Sequence, residues 1–188
     1  MRLYRAFPFD AEAKPSEPGG ALFAPRGPAG RIANPKLYTE LYVSSSAAGA
    51  LSEAFGRLDT WTEEMLALRD RPYALATYEL RDDRAAVCDL DNAARLLAYD
   101  LHPSEVVAGD RSVTQAWAAR VYSSGKWAGI SWWSRYDSRW RSLGLWNRKH
   151  LRLNDRPERL TIRHAAVREA ADLLPRRLQG AGIVASRR

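Results

Sequence analysis

Cysteine is almost absent from this chain of 188 residues: Cys88 stands alone. No internal disulfide can form, and a structural zinc site built on several thiolates cannot be assembled, so a reducing cytoplasmic setting is expected. Histidine is scarce as well. His102, His150 and His164 lie too far apart to form a local ligand pair, HExxH is missing, and no metal is expected. There is no GxGxxG after a strand and no GxxxxGK[ST], which excludes the Rossmann and P-loop modes of nucleotide binding. The N-terminal MRLYRAFPFD lacks an apolar stretch after its arginines, and nowhere do about 18 apolar residues run together. Secretion and a membrane span are therefore not expected.

What is present fits one domain over residues 1–188, with 46% hydrophobic and 27% charged residues. A chain of this size buries roughly two-thirds of its unfolded surface and needs no staple. The net charge of +7 is unevenly placed: residues 1–100 hold 12 Lys/Arg against 15 Asp/Glu, and the remainder 17 against 7. The second half is the basic one, and such a lobe attracts nucleic acid, a nucleotide's phosphates or an acidic protein.

Arg2 to Phe7 reads as a short strand. Residues 8–36 collect six of the ten prolines and four of the twelve glycines and read as a loop of functional length, with Arg31 near its end. Leu37 to Val43 is strand-like, and the serines at 44–46 offer caps for a helix carrying Ala47, Leu51, Ala54, Phe55 and Leu58 on one stripe. A second helix is expected from Thr62 to Arg69. Strands at Tyr73–Leu80 and Ala85–Asp89 then flank the charged turn RDDR as a hairpin. Asp91 and Ser112 are candidate caps of two further helices, WAGISWW at 127–133 is a buried-strand candidate, Leu143–Trp146 another, and Ile162–Leu178 reads as helix up to Pro175.

Two constellations suggest chemistry from residue type alone. Asp89 and Asp91 stand at a strand end, where paired carboxylates suit a divalent cation, although Asp91 as a helix cap accounts for them more simply. Five of the seven tryptophans fall between 127 and 146, interleaved with Arg135, Arg139 and Arg141, the composition of a nucleic-acid platform. Alternation in a strand buries one face, so half of those rings are expected in the core.

Three segments in order resemble the RES domain family, named for an arginine, a glutamate and a serine. RLYRAF opens the chain and GRIANP follows with Arg31. ELYVSSSAAGALSEAF is similar to the family's strand and helix segment, with Tyr42 and Glu53, and GISWWSRYD is similar to the strand that ends in the family's serine, here Ser134. The likeness covers most of residues 2–147, leaving a basic, helical extension over about 150–188. Where the family commonly has an aromatic residue after its first arginine, Ile32 stands here.

The resemblance implies an α+β fold like the diphtheria-toxin type of ADP-ribosyltransferase, with NAD+ bound in a cleft between small sheets and helices flanking them. It implies a bacterial toxin that consumes NAD+ by hydrolysis, phosphorolysis or ADP-ribosyl transfer and is held inactive by an Xre-type antitoxin. In that reading Glu53 and Arg31 are the catalytic pair, and Glu53 stabilises positive charge on the ribose or holds a ribose hydroxyl. Arg31 pairs with the pyrophosphate, Tyr42 packs against the nicotinamide, Ser134 donates to the dinucleotide, and Arg5 on the first strand reaches the same cleft. The alternative is a nucleic-acid-binding module using the basic, tryptophan-rich half. Periodicity adds one constraint of its own. At about 100° per residue Glu53 lies roughly 140° from the centre of its helix's apolar stripe, so a catalytic Glu53 requires a cleft on the outward side of that helix.

Overall fold

The alternation of residues 2–8 forms a strand in the computed structural model, which describes residues 1–81 and 86–180: β1 spans Arg2–Pro8. Residues 9–40 follow without regular structure. The next strand begins four residues later than its composition suggests, as β2 (Leu41–Ser44), and leads into α1 (Ala47–Phe55). Ser46 caps α1 by accepting from the Gly49 amide at 2.9 Å, the role its side-chain oxygen suits. The helix stops at Phe55, so Leu58 lies beyond it, exposed.

No second helix forms over 62–69. That stretch is β3 (Thr60–Thr62), one 3-10 turn (Glu64–Leu66) and β4 (Ala67–Leu68), which turns back into β5 (Arg71–Leu80). The reversal is made by Arg69 and Asp70, with φ of 48° and 66°, the doubly left-handed turn that matches strand twist in a two-residue hairpin. Beyond β5 come β6 (Val87–Asp89), α2 (Ala93–Ala98), α3 (Pro103–Val106), α4 (Arg111–Ser123), β7 (Gly129–Trp133) and β8 (Arg141–Leu145). The caps of α2 and α4 are Asn92 and Asp110, one and two residues from the expected Asp91 and Ser112. The region expected to be a helical extension contains two short strands before its helix. They are β9 (Leu151–Leu153) and β10 (Glu158–Arg159), followed by α5 (Ala165–Leu173) and β11 (Arg177–Gln179).

Nine strands join one sheet, whose central path runs β10-β5-β1-β2-β8-β7-β6, with β4 and β9 also on β5; β3 and β11 pair separately. Apart from the parallel β6–β7 contact, the large sheet is antiparallel. The expected hairpin between β5 and β6 does not form, because β1 lines one edge of β5 and β4, β9 and β10 take the other. The strand at 87–89 instead lies beside β7 at the opposite edge of the sheet. Most of the turn proposed at RDDR, and Ala85, fall outside the described residues.

One discontinuity positions everything that follows. β1 pairs with β5 along its whole length but with β2 only where Tyr4 faces Ser44. Continuing that register would set Arg5 against Val43 and Ala6 against Tyr42; these pairs are not made, and the two strands part. The hydrophobic interior follows the split. One cluster packs α1 and α5 around Leu51, Phe55, Trp61 and Val167. A second, holding Leu3, Phe7, Leu41, Tyr78 and Leu143, lies against the sheet. The third joins α4 to β6 and β7 through Trp117, Val121, Cys88 and Ile130. Among the described residues no helix is long and apolar enough to cross a membrane.

Candidate active site

Glu53 extends from the outward side of α1: it is exposed, while Leu51, Ser52 and Phe55 are among the residues that the helix buries. Its Oε1 accepts two hydroxyl protons. Ser134 donates at 2.7 Å and Ser142 at 3.3 Å. Ser134 follows the last residue of β7 and Ser142 lies on β8, so neighbouring strands converge on one carboxylate oxygen. Ser134 is buried, and its Oγ also accepts from the Tyr136 amide at 3.2 Å. A serine has one hydroxyl proton, and Ser134 uses it on Glu53. It backs the carboxylate and is not among the residues that line the cleft in front.

The space in front of Glu53 is a cleft of about 460 Å³ at the parting of β1 and β2, within the size range of small-molecule sites. It passes through the gap. Tyr4 and Ala6 line it together with Arg5, although alternation along a strand sends Arg5 to the opposite face. Arg31, Tyr42, Glu53 and Arg5, four of the five residues singled out from the sequence, line this cleft. The fifth, Ser134, stands behind it.

Arg31 is half-buried, and its Nη1 donates to the carbonyls of Ala108 at 2.8 Å and Val106 at 3.3 Å. Its own carbonyl accepts from Thr114 Oγ1 at 2.6 Å. Burial holds the guanidinium below its usual range; Arg135 and Arg111 press the same way, while the Glu53 carboxylate opposes them. Tyr42 sets its ring edge-on to Trp132, centroids 6.3 Å apart, and its hydroxyl accepts from the Ile32 amide at 3.0 Å. Burial raises the Tyr42 phenol, chiefly, with Glu40 adding to it. Arg5 donates to the Ala21 carbonyl at 3.1 Å and lies over the Phe7 ring. Ile32 is fully buried among Cys88, Trp117 and Ile130.

Three more arginines, Arg57, Arg111 and Arg135, border the cleft, giving five guanidinium groups against the single carboxylate of Glu53. Sequence reasoning missed Arg57 and Arg111, together with Ser142. Arg57 lies in the turn just past the end of α1 and Arg111 opens α4; neither carries a local signal. Ser142 is a buried polar residue at the head of the apolar run SLGL, directly after Arg141, so its burial shows only in the fold.

The tryptophan and arginine pattern separates into unrelated uses. Trp132 and Trp140 are buried. Trp146 donates its indole N–H to the Trp127 carbonyl at 2.7 Å, and Trp127 to the Tyr99 hydroxyl at 2.6 Å. Arg139 pairs with Asp137, Arg141 with both Asp89 and Asp91, and Arg135 alone reaches the cleft. This is packing, with no row of open rings. Asp89 and Asp91 grip Arg141 at 2.6 and 2.7 Å; Asp91 caps no helix.

A family model described as RES domain matches residues 2–167. The chain belongs to the RES domain family. The match runs twenty residues past the segments that carry the resemblance, taking in β9, β10 and the start of α5. Among solved structures, the crystal structure of the M. tuberculosis MbcT-MbcA toxin-antitoxin complex contains a similar chain. The two align with a TM-score of 0.64 and 21% identity over 93% of this RES chain and 88% of the other. Identity that low shows a shared fold, here the mixed α/β fold expected of a RES domain. No curated protein matches the chain.

Proposed function

We propose that this RES domain cleaves the nicotinamide–ribose bond of NAD+, with water, phosphate or a protein side chain as acceptor. The observation that carries the proposal is a carboxylate, Glu53, held by two hydroxyls at the wall of a cleft whose other charged groups are arginines. When the bond breaks, nicotinamide leaves with the electron pair as a neutral pyridine, and positive charge develops on the ribose, as in glycoside hydrolysis. A fixed carboxylate oxygen next to that ring stabilises the charge without reorganising. Arg31 and its neighbours suit the pyrophosphate, a planar guanidinium pairing bidentately with phosphoryl oxygens. Tyr42 supplies the apolar ring surface for the nicotinamide. With water as acceptor the products are nicotinamide, ADP-ribose and a proton.

The complex in which the similar MbcT chain was solved pairs a toxin with an antitoxin. By that analogy we read this chain as the toxin of such a pair, acting in the cytoplasm. The decisive experiment incubates the purified protein with NAD+, with and without phosphate and with candidate acceptor proteins, and measures free nicotinamide. Wild type is expected to release it, and Glu53→Ala to lower the rate about 100-fold or more, as loss of a transition-state electrostatic group does. No release under any of these conditions overturns the proposal.

A further inference from the structure

Glu40 opens the segment ELYVSSSAAGALSEAF, and the family resemblance gives it no role. It precedes β2 and is only 6% exposed. No ion pair joins it to a cation among the described residues, and burial raises its pKa, a hydrogen bond with the Tyr42 hydroxyl opposing that rise. An uncompensated buried acid is costly, so its surroundings matter. It faces a second compartment, about 360 Å³, which shares Arg5, Gly30 and Tyr42 with the main cleft.

The Tyr42 hydroxyl has one proton to donate and lone pairs with which to accept. It accepts from the Ile32 amide at 3.0 Å, which leaves its own proton for an acceptor, and Glu40 lines the same small compartment beside it. Ile32 is the residue after Arg31. Gly30, the residue before, is pressed against the same pair: a Cβ there would strike the Tyr42 hydroxyl and come within 2.9 Å of Glu40 Oε1. The loop that delivers Arg31 is therefore moulded on a Tyr42–Glu40 pair from one side, while Thr114 and Gln115 of α4 hold its carbonyls from the other.

We propose that Glu40 is a positioning residue for Arg31, acting through the Tyr42 hydroxyl and the Ile32 amide to fix the guanidinium at the place where the dinucleotide's pyrophosphate binds. This rests on the NAD+ reading of the cleft. Because Arg31 is read as a binding group and Glu53 as the group that acts on the reacting ring, a defect in Glu40 belongs in KM, with kcat spared.

The test uses the full chain and steady-state NAD+ turnover. Glu40→Ala and Tyr42→Phe, which keeps the ring and removes only the hydroxyl, are each expected to raise KM about tenfold with kcat within about twofold. Glu40→Gln retains an acceptor oxygen and is expected to recover most of the loss. Glu40→Ala added to Arg31→Ala should do no further harm, since residues in one chain of contacts are not additive. A fall in kcat and melting temperature at unchanged KM, no rescue by Gln, or full additivity with Arg31→Ala would overturn the assignment. Should Glu40→Ala fail to fold, Tyr42→Phe carries the same comparison. Should wild type release no nicotinamide, calorimetric titration with ADP-ribose reads the same variants: a tenfold weaker Kd upholds the role of Glu40 although the activity has failed, and an unchanged Kd or no binding by wild type overturns it.

Discussion

Ser134 and Glu53 meet at 2.7 Å from residues 81 positions apart, and in the proposed NAD+ reaction that contact gives the serine a place behind the carboxylate. A hydrogen bond to a charged acceptor contributes roughly 1.5–3 kcal/mol. Ser134→Ala is accordingly expected to lower the melting temperature by a few degrees, since it also takes away the acceptor of the Tyr136 amide, and to lower kcat about tenfold with KM nearly unchanged, because Ser142 still holds the same oxygen; a matching rise in KM would argue against this role. At this scale the sequence was informative where geometry is local. Glu53 was legible as outward-facing because helical periodicity sets side-chain direction within a single turn. Arg31 and Tyr42 were legible only through the family's order of segments. Ser142, Arg111 and Glu40 were not singled out: their partners lie on other strands or loops, and nothing in their near neighbours in sequence records who those partners are.

At the scale of elements, α1 is the device that carries Glu53 to the cleft, and its first turn depends on Ser46. Ser46→Ala removes the bond to the Gly49 amide and is expected to cost about 1 kcal/mol, lowering the melting temperature by roughly 2–4 °C for a chain of this size. Thermal unfolding monitored by circular dichroism checks this. Strands β1, β5, β7 and β8 and helices α1 and α4 could be read from the chain because each obeys its own period. The stretch from 60 to 69 could not. Its Thr60–Thr62 segment is a strand because Arg177–Gln179, more than a hundred residues later, lies parallel to it, a tertiary choice that overrides local propensity. The hairpin expected across RDDR failed for a similar reason, the edges of β5 being claimed by strands from both ends of the chain. The helices at Asp91 and Ser112 were found with their caps displaced by one or two residues, a smaller error that leaves the packing unchanged.

For the molecule as a whole, charge and topology coincide. Five guanidinium groups surround a cleft with one carboxylate, and Arg57, Arg111 and Arg135 among them are exposed. A field of that sign draws anionic ligands inward and weakens as salt screens it, the screening length falling from about 30 Å at 0.01 M to about 8 Å at 0.15 M. Raising the salt over that range is expected to increase KM for NAD+ several-fold with kcat steady; a KM indifferent to salt would remove these arginines from substrate capture. The parting of β1 and β2 has its own consequence. Open strand edges invite a foreign strand to add on, which is how sheets begin to aggregate. Here two such edges, near Arg5–Ala6 and Tyr42–Val43, face each other inside a recess of about 460 Å³. The fold keeps two facing strand edges in its middle, within a cleft, where a third strand has little room to add on.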